Sequence, residues 1–455
     1  MCKTSTPTTR SLTTSWKSWD DRRPLVSHGG LEIRLFGPDD DIEAELDLRR
    51  RAFGPFSAAD LPRWLALLQA CVDAGQMIGV FDGGRLIASA RYHAMRQWWQ
   101  GRSMPMAGVA GVKVAPEERG RGVAGAMMTR LLEEIVARGY PVSALYPTTA
   151  QVYRSAGWEF AGAKYETVLP ARSLASLTPA DEVALTAGGP GSAARPAPAP
   201  AAPKLRRASP ADAEAIIDLK GRVHGELRDC GPNTRGPAVL GRWLADEDHF
   251  GYLAEDGFLG YGWSDDTETI EVEELVAASA PTARAFWEIL ASHATVAERV
   301  RACLGPDDPV SWLIREPAAS LRRRESWMLR LVDAPAAIAA RGYPPAVSLS
   351  VQLDIADPDL PGNSGRWTLQ VTGGTGRLQR SDSAQPAADG LQQGNGVADS
   401  ASSVLRLGPR GLAATFAGVP LATLRLAGLA GGGDPSADAV LESAFTGRAF
   451  MIDYF

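Results

Sequence analysis

The amino-acid sequence predicts an α+β protein in which one strand-and-helix block occurs twice and a third block of different composition follows. At 455 residues the chain is too long for one ordinary core, so several domains are expected. The order of strand and helix patterns that begins near Leu31 begins again near Lys204. The composition then changes near Ser326. We therefore expect structured domains at residues 31–180, 204–325 and 326–455.

The first block alternates strand and helix patterns. Leu31–Phe36 alternates apolar and polar residues as a half-buried strand does. The acidic run Asp39–Asp41 favours a helix start, and a helix is predicted over Ile42–Phe53. The remaining predicted elements are a hairpin of Met77–Phe81 and Leu86–Tyr92, a strand at Met104–Val114, an amphipathic helix at Gly122–Arg138, a buried parallel strand at Val142–Tyr146 and a helix from Thr149.

Residues 181–203 interrupt this order and are rich in alanine, proline and glycine. Such a composition is typical of a semi-rigid linker, and a long loop within one domain is the alternative. After it the first pattern returns. The second block has a strand near 204–208, a helix through Val223, a hairpin of Phe250–Glu255 and Phe258–Ser264, and a strand at Thr269–Ala277.

The third block combines short strand and helix patterns. Trp327–Val332 predicts a strand and Ala334–Gly342 a short helix, and Ser381–Ser403 is a polar segment typical of a surface loop. Further strands are predicted at Val347–Leu353, Trp367–Thr372 and Val404–Leu407.

The last seven residues, Ala449–Phe455, are apolar and aromatic up to the terminal carboxylate. Ordinary chain ends are polar and frayed. We therefore expect this tail to be buried in the protein. A final edge strand with no part in chemistry is the alternative.

Charge, cysteines and the N-terminal segment exclude several classes of protein. A net charge of −6 gives no support for nucleic-acid binding, and no apolar run is long enough to cross a membrane. The four cysteines lie far apart, which argues against a metal site or a disulfide framework. Residues 1–30 are rich in serine, threonine and arginine and contain no signal-peptide pattern, so we expect a disordered extension and a cytoplasmic protein.

The strongest functional pattern is the turn at Arg119–Gly125. An apolar strand ends just before it at Val114 and a helix begins at Val123, so backbone N–H groups of Gly120 and Gly122 and the helix N-terminus can close on a pyrophosphate. The spacing Arg-x-x-Gly-x-Ala resembles that of the GNAT acetyltransferases, which use acetyl-CoA. A plain basic surface turn is the alternative. Ala278–Thr282 occupies the corresponding place in the second block, which is expected to bind no cofactor.

Acetyl transfer to an amine needs a general base and a general acid. Tyr153 is a candidate acid because its helix follows the strand at Val142–Tyr146; a half-buried packing tyrosine is the alternative. Thr148 and Thr149 precede it and are candidates for contacts with the cofactor arm. The strand edge at Val112–Val114 can offer backbone groups to the same arm.

Three separated segments resemble one GNAT family, the Eis (enhanced intracellular survival) proteins. They are Gly108–Met127, the region from Gly139 to Trp158, and Leu329–Tyr343, together with the aromatic C-terminus. The resemblance covers most of the chain from Leu31 onward. It implies two tandem GNAT-like domains, the second without cofactor, followed by an α/β domain that resembles sterol carrier proteins. It also implies acetylation of aminoglycosides, polyamines or lysine, and a homohexamer built as a trimer of dimers.

The same resemblance assigns roles to residues of this sequence. The acid falls on Tyr153, and the base falls on the terminal carboxylate of Phe455. Phe53, Trp64 and Asp453 are candidates for the substrate pocket. The cofactor contacts fall on Val112, Lys113, Val114, Gly120, Arg121, Gly122, Val123, Ala124, Gly125, Thr148 and Thr149.

Two departures from the family pattern affect the cofactor site. The turn has fewer basic residues than in the family, with Gly125 at a position where a basic residue can occur, and Lys113 is unusual in its strand.

Two other functions remain open from the sequence. One is a lipid- or sterol-binding carrier that uses the C-terminal domain, and the other is acetylation of protein lysines.

Overall fold

A computed structural model describes residues 26–28, 30–55, 57, 60–175, 177, 202–315, 319–381 and 404–455. The predicted extension up to residue 25, most of the 181–203 linker and most of the predicted 381–403 loop therefore lie outside the described residues. Within the described part, no helix is long and apolar enough to cross a membrane.

The first domain packs helices on both faces of a mixed sheet. Ile33 and Val80 face a core with helix α3, whereas Met77 and Phe36 face a second core with α1 and α2. Its strands are β1 (Val26–His28), β2 (Leu31–Leu35), β3 (Met77–Asp82), β4 (Arg85–Trp99), β5 (Arg102–Val114), β6 (Val142–Leu145) and β7 (Glu159–Pro170), and its helices are α1 (Ile42–Phe53), α2 (Asp60–Asp73), α3 (Val123–Ala137), α4 (Ala150–Ser155) and α5 (Ala171–Leu174).

Strand β1 begins the fold earlier than the sequence predicts. It pairs antiparallel with β2 inside the segment predicted as an extension. The turn between them contains Gly30 at φ +86°, a conformation that glycine adopts without steric cost. Strand β1 has only three residues, which is too short to produce a periodic pattern in the sequence.

The second domain repeats much of the order of the first, and its hairpin and central strand are no longer than their counterparts. Its predicted first strand is reduced to two residues, and the predicted hairpin pairs antiparallel as expected. The strands are β8 (Arg206–Arg207), β9 (Cys230–Thr234), β10 (His249–Ala254), β11 (Gly257–Trp263), β12 (Thr269–Ala277) and β13 (Arg299–Cys303), and the helices are α6 (Ala213–Glu226), α7 (Pro237–Ala245), α8 (Ala280–Ala291) and α9 (Val310–Leu313).

The C-terminal part adds one long strand and a separate five-stranded sheet of order β17-β16-β15-β18-β19. Its strands are β14 (Ser320–Leu331), β15 (Leu349–Ile355), β16 (Gly365–Thr372), β17 (Thr375–Arg380), β18 (Leu405–Leu407) and β19 (Ala430–Gly432), and its helices are α10 (Ala334–Ala340), α11 (Pro409–Phe416), α12 (Leu421–Leu426) and α13 (Pro435–Ala444).

One continuous sheet joins the first two domains. Strand β14 lies between β6 and β7, and β7 pairs with β13 of the second domain. Strand β9 of the second domain also pairs with β4 of the first. The predicted boundary at Ser326 falls inside β14, because its first residues, Ser320–Arg324, are exposed and carry no apolar pattern. The shared sheet fixes the two domains relative to each other.

Candidate active site

The two central strands of the first domain separate at one end. Strands β5 and β6 are parallel and pair from Met106 with Val142 to Val109 with Leu145. Strand β5 then continues to Val114 without β6 and stays paired with β4. Its register with β4 changes next to Gly111, which has a φ of +58°. The result is a wedge whose β5 edge carries backbone groups that have no β6 partner. An extended ligand arm can pair with such an edge as an added strand does.

The glycine-rich turn lies at the mouth of this wedge. Gly120 and Gly122 have φ values of +80° and +78°, and a Cβ atom at either position would have no neighbour within 4 Å. Gly122 is the N-cap of α3, and no side chain caps the helix there. The first N–H groups of a helix have no partner within the helix itself. The turn is therefore an open, positively polarised site for an anion.

The charged side chains around the turn are partly engaged with each other. Arg121 forms an ion pair with Glu118, and Arg85 forms a second ion pair with the same carboxylate. The hydrogen bond from Arg85 lowers the pKa of Glu118, with a further contribution from Arg121. Glu118 is thus an anion beneath the turn. The charge of Arg121 that is available to a phosphate is reduced by this contact.

The side chain of Lys113 points away from the wedge. It is buried against α1, where its Nζ lies 2.5 Å from Oε1 of Glu45, and Glu45 accepts a hydrogen bond from Ser89. Burial lowers the pKa of Lys113, and the charge of Glu45 opposes this effect. Of Lys113, only the backbone is available to a cofactor in the wedge, whereas Val112 and Val114 face the α3 side.

Tyr153 lies on the short helix α4 that follows β6. The ring is buried with 7% of its surface exposed, and its hydroxyl has no hydrogen bond to another described residue. Burial raises the pKa of Tyr153 to about 12, and the neighbouring Tyr454 phenol adds to the shift. The proton therefore stays on Tyr153 at neutral pH. Thr149 is the N-cap of α4 without a side-chain cap bond, and both it and Thr148 are exposed.

The C-terminal tail enters the protein between the first and second domains. The backbone N–H of Phe450 donates to the carbonyl of Cys230 at 2.9 Å, and that of Met451 donates to Ala163 at 3.2 Å. Ala449, Met451 and Ile452 are buried. The prediction of a buried tail is therefore confirmed for these residues. The alternative of a final edge strand is wrong, because the tail makes a bridge at Phe450 and no strand.

The end of the tail reaches the wedge of the first domain. The ring of Phe455 lies against Gly108 of β5, where a Cβ atom would be 2.8 Å from the ring. Tyr146, directly after β6, contacts Phe455 with ring centroids 5.6 Å apart and donates from its hydroxyl to the carbonyl of Asp453 at 2.9 Å. Arg235 of the second domain donates to the carbonyl of Tyr454. The last residue is thus held where β5 and β6 separate.

Tyr146 and Arg235 were not predicted as functional residues. Tyr146 stood in the predicted strand, and its place at the carboxyl end of a parallel strand is the signal that could have identified it. Arg235 carries no local signal, since its contact with the tail spans the whole second half of the chain.

The proposed pocket residues do not all meet. Asp453 lines a cavity of about 360 Å³ next to the tail, together with residues of α2, β7 and the second domain. Phe53 is exposed at the end of α1, and Trp64 packs against the core formed by Phe36 and Leu48. Neither Phe53 nor Trp64 lines that cavity.

Sequence comparisons assign the three parts of the chain. Residues 32–161 and 240–331 each match an acetyltransferase (GNAT) domain, and residues 334–452 match a sterol carrier protein domain. The N-acetyltransferase Eis of Mycobacterium tuberculosis is 28% identical over 320 residues, which are 67% of this chain and 74% of that protein. An uncharacterized N-acetyltransferase of Streptomyces avermitilis is 29% identical over 365 residues, 73% of this chain and 81% of that protein.

Solved structures agree with this assignment. A GCN5-related N-acetyltransferase from Kribbella flavida is 41% identical, with a TM-score of 0.80, over 93% of this chain and 98% of that one. Eis1 from Mycobacterium abscessus, at 23% identity and a TM-score of 0.69 over 93% of this chain and 100% of that one, shares the fold. The predicted order of two GNAT domains and a sterol-carrier-like domain is confirmed. The chain belongs to the GCN5-related N-acetyltransferases and, among them, to the Eis family.

Proposed function

We propose that this acetyltransferase moves the acetyl group of acetyl-CoA to an amine of a small molecule of the aminoglycoside, polyamine or lysine type. Tyr153 is the acid in this proposal, and the terminal carboxylate of Phe455 is the base. One observation carries it: the last residue of the chain lies against Gly108 at the wedge between β5 and β6. Tyr146 and Arg235 hold the two preceding residues through their carbonyls, which supports the terminal carboxylate as the base.

The residues around the turn fit acetyl-CoA. Gly120 and Gly122 leave room for a pyrophosphate at the N-terminus of α3, and the free β5 edge suits the pantetheine arm. Acetyl-CoA supplies an activated thioester carbonyl. The proposed contacts are the backbone of Val112, Lys113 and Val114, the turn residues Gly120, Arg121, Gly122, Val123, Ala124 and Gly125, and Thr148 and Thr149.

The two proposed catalytic groups, the terminal carboxylate and the Tyr153 hydroxyl, move protons in opposite directions. A carboxylate is anionic at neutral pH, so the chain end attracts the substrate ammonium and accepts its proton. Tyr153 keeps its proton because burial raises its pKa to about 12, and it can therefore donate where negative charge appears. Proton acceptor and proton donor are thus distinct groups on the tail and on α4.

Moving the terminal carboxylate tests the proposal. Deletion of Phe455 removes the ring and shifts the carboxylate, and extension of the chain by one glycine shifts the carboxylate but keeps the ring against Gly108. We expect both changes to lower kcat for CoA-thiol release with an amine by about 100-fold or more, since general base catalysis contributes on that scale.

Phe455→Leu is the matched control, because it keeps the carboxylate at its place and removes only the ring contacts with Tyr146 and Gly108. We expect its kcat to stay within about tenfold of the original, as the general-base contribution is retained. Full activity of the glycine-extended chain would exclude the terminal carboxylate as the base.

The carrier function is poorly supported by the C-terminal domain. Within its described residues, the apolar cavity lined by Ile338, Leu353 and Phe416 measures about 10 Å³. That volume is close to the space of one water molecule, so it has no room for an acyl chain or a sterol.

The homohexamer is part of the proposal, since family membership supports it. Light scattering on the full chain measures it directly. A mass near that of six 48.3 kDa chains is expected, and a monomer would contradict it.

A further inference from the structure

The second domain has a wedge of its own, and a large cavity lies against it. Strands β12 and β13 are parallel and pair only from Thr269 with Arg299 to Val272 with Ala302, after which β12 continues to Ala277. The 360 Å³ cavity is lined by residues on both sides of this separation and by the tail residues Ile452–Tyr454. The corresponding position in the second domain therefore opens beside the tail residues that precede Phe455.

The charges that line this cavity are balanced. Five basic and five acidic side chains face it. Two opposite pairs neutralise each other along the walls: Lys220 with the buried Glu274, and Arg301 with Glu271 at 2.6 Å. The lining is thus unlike the strongly acidic surface that a polycation would require.

Three of the five cations, Arg63, Lys164 and Arg235, have no carboxylate partner within 4.0 Å among the described residues. The ammonium of Lys164 lies 5.8 Å from the ring centroid of Tyr454, and Arg235 donates to the Tyr454 carbonyl. The Nε of Arg235 is buried and has no hydrogen-bond partner in the described part of the chain. On the acidic side, the carboxylate of Asp453 likewise has no ion-pair partner there. The cavity therefore offers unpaired positive charge as well as the negative charge of Asp453.

We propose that this cavity binds the acceptor, and that the preferred acceptors are amines that also carry a carboxylate or another acidic group. Lys164 and Arg235 bind the acidic group, and Asp453 together with the chain end receives the ammonium. This assignment rests on the acetyl transfer proposed above, in which the N–C bond forms, the thioester C–S bond breaks, and the thiol leaves with a proton.

A polycation fits this lining less well. Several positive charges would have to lie near Lys164 and Arg235, where like charges repel one another. Two of the five acids, Glu274 and Glu271, are already paired. An amine with one acidic group places its negative charge against the unpaired cations and its ammonium against Asp453. A charge-assisted hydrogen bond to an acidic group is among the stronger polar contacts, so the preference is measurable.

The test compares acceptors of matched shape. L-lysine, L-lysinamide and cadaverine are offered with acetyl-CoA, and kcat/KM is measured from CoA-thiol release. We expect kcat/KM for L-lysine to exceed that for either analogue, both of which lack the carboxylate, by about tenfold. We expect Lys164→Met to lower kcat/KM for L-lysine by about the same factor and to leave cadaverine unchanged or improved. Arg299→Gln, which removes an exposed charge outside the cavity, is the control and should change neither value.

The outcomes separate the two proposals. If the original chain acetylates cadaverine as fast as L-lysine, the inference is overturned without any variant. An equal fall in kcat/KM for both acceptors in Lys164→Met would overturn it as well. Acetylation of a kanamycin-type aminoglycoside with no turnover of L-lysine would also overturn it and would leave the proposed function standing. Release of no CoA thiol with any amine would instead contradict the proposed function itself.

Discussion

The two GNAT-like domains begin the equivalent helix in opposite ways. Helix α3 starts at Gly122 without a side-chain cap and with open space on its surface. Helix α8 starts at Ser279, whose side chain accepts the N–H of Thr282, and Pro281 in the first turn has no N–H to offer. The hydroxyl of Thr282 in turn donates to Asp256 at 2.5 Å.

This difference shows how a chain can occupy the free N–H groups at a helix start with its own side chains. The first N–H groups of a helix need partners from outside the helix. In the second domain the chain supplies them itself and adds the acidic Asp256 next to the helix start, where a phosphate would be repelled. In the first domain they remain available to a ligand. Self-capping therefore accompanies the loss of the glycine-rich turn.

The two domains also differ in the helix that follows the second strand of the wedge. In the first domain β6 leads to α4 with Tyr153, whereas in the second domain β13 leads to α9, which contains a valine, a serine, a tryptophan and a leucine. The second domain thus has no tyrosine on the equivalent helix. Its wedge instead forms a wall of the cavity beside the tail.

The largest expected effect comes from removing the hydroxyl of Tyr153, which has no counterpart on helix α9 of the second domain. Tyr153→Phe should lower kcat by about 100-fold and leave KM for acetyl-CoA unchanged, because general acid catalysis contributes on that scale. Steady-state kinetics of CoA-thiol release measure both constants. Tyr140→Phe is the control, since Tyr140 is a half-buried tyrosine that packs on Tyr92 away from the tail. Undiminished kcat in Tyr153→Phe would remove it as the acid.

The pH dependence follows from the raised pKa of Tyr153. Its folded-state pKa of about 12 lies above the ordinary value of 10, so its contribution to stability is fully present below pH 10 and is lost as the pH rises through 12. Tyr153→Phe should therefore lose less free energy of unfolding between pH 9 and pH 12 than the original chain. The acid limb of the rate profile should be unchanged by this substitution, since Tyr153 does not titrate there.

The next effect tests the open helix start. Gly125 is the third residue of α3, and a Cβ atom there would meet nothing within 4 Å. Gly125→Asp places a negative charge where we expect the pyrophosphate, so KM for acetyl-CoA should rise by about tenfold or more. Helix stability should rise at the same time, because an acid in the first turn contributes about 0.3–1 kcal/mol.

Two controls separate charge from shape. Gly125→Ala should leave KM for acetyl-CoA unchanged, and Ala280→Asp places the same charge in the first turn of α8, where no cofactor is expected. A rise in KM with Ala280→Asp that equals the rise with Gly125→Asp would mean that the two helix starts do not differ in function.

Local patterns made the glycine-rich turn and helix α3 of the first domain predictable. The turn at Arg119–Gly125 and helix α3 are encoded within a few residues, and the structure has them where the sequence indicates. The two turns also differ in the structure, since α8 begins at the capped Ser279. That the second block binds no cofactor stays a prediction. The direction of the Lys113 side chain could not be read from the sequence, since it depends on Glu45, which lies far away along the chain.

Contacts between distant segments could not be read from the sequence. Helix α2 was not predicted, although its Leu68 and Val72 are buried, and neither was the pairing of β9 with β4. The place of the tail depends on Tyr146 and Arg235 and on a sheet that both domains share. Only the resemblance to the Eis family pointed to the chain end as a base. The aromatic composition of the tail indicated burial and nothing about chemistry.

The smallest expected effect concerns the cap of α8. Ser279→Ala removes the side chain that accepts the Thr282 N–H and should lower the free energy of unfolding by about 1 kcal/mol. KM for acetyl-CoA should not change, because the first domain alone is expected to bind it. Thermal unfolding and hydrogen exchange in the first turn of α8 measure the loss, and Ser279→Thr, which keeps the acceptor oxygen, is the control.

Ser279→Ala alone should not create an anion site at α8, because Pro281 still lacks an N–H and Asp256 still accepts the hydrogen bond of Thr282. Detectable acetyl-CoA binding at α8 in Ser279→Ala would show that the cap alone separates the two domains.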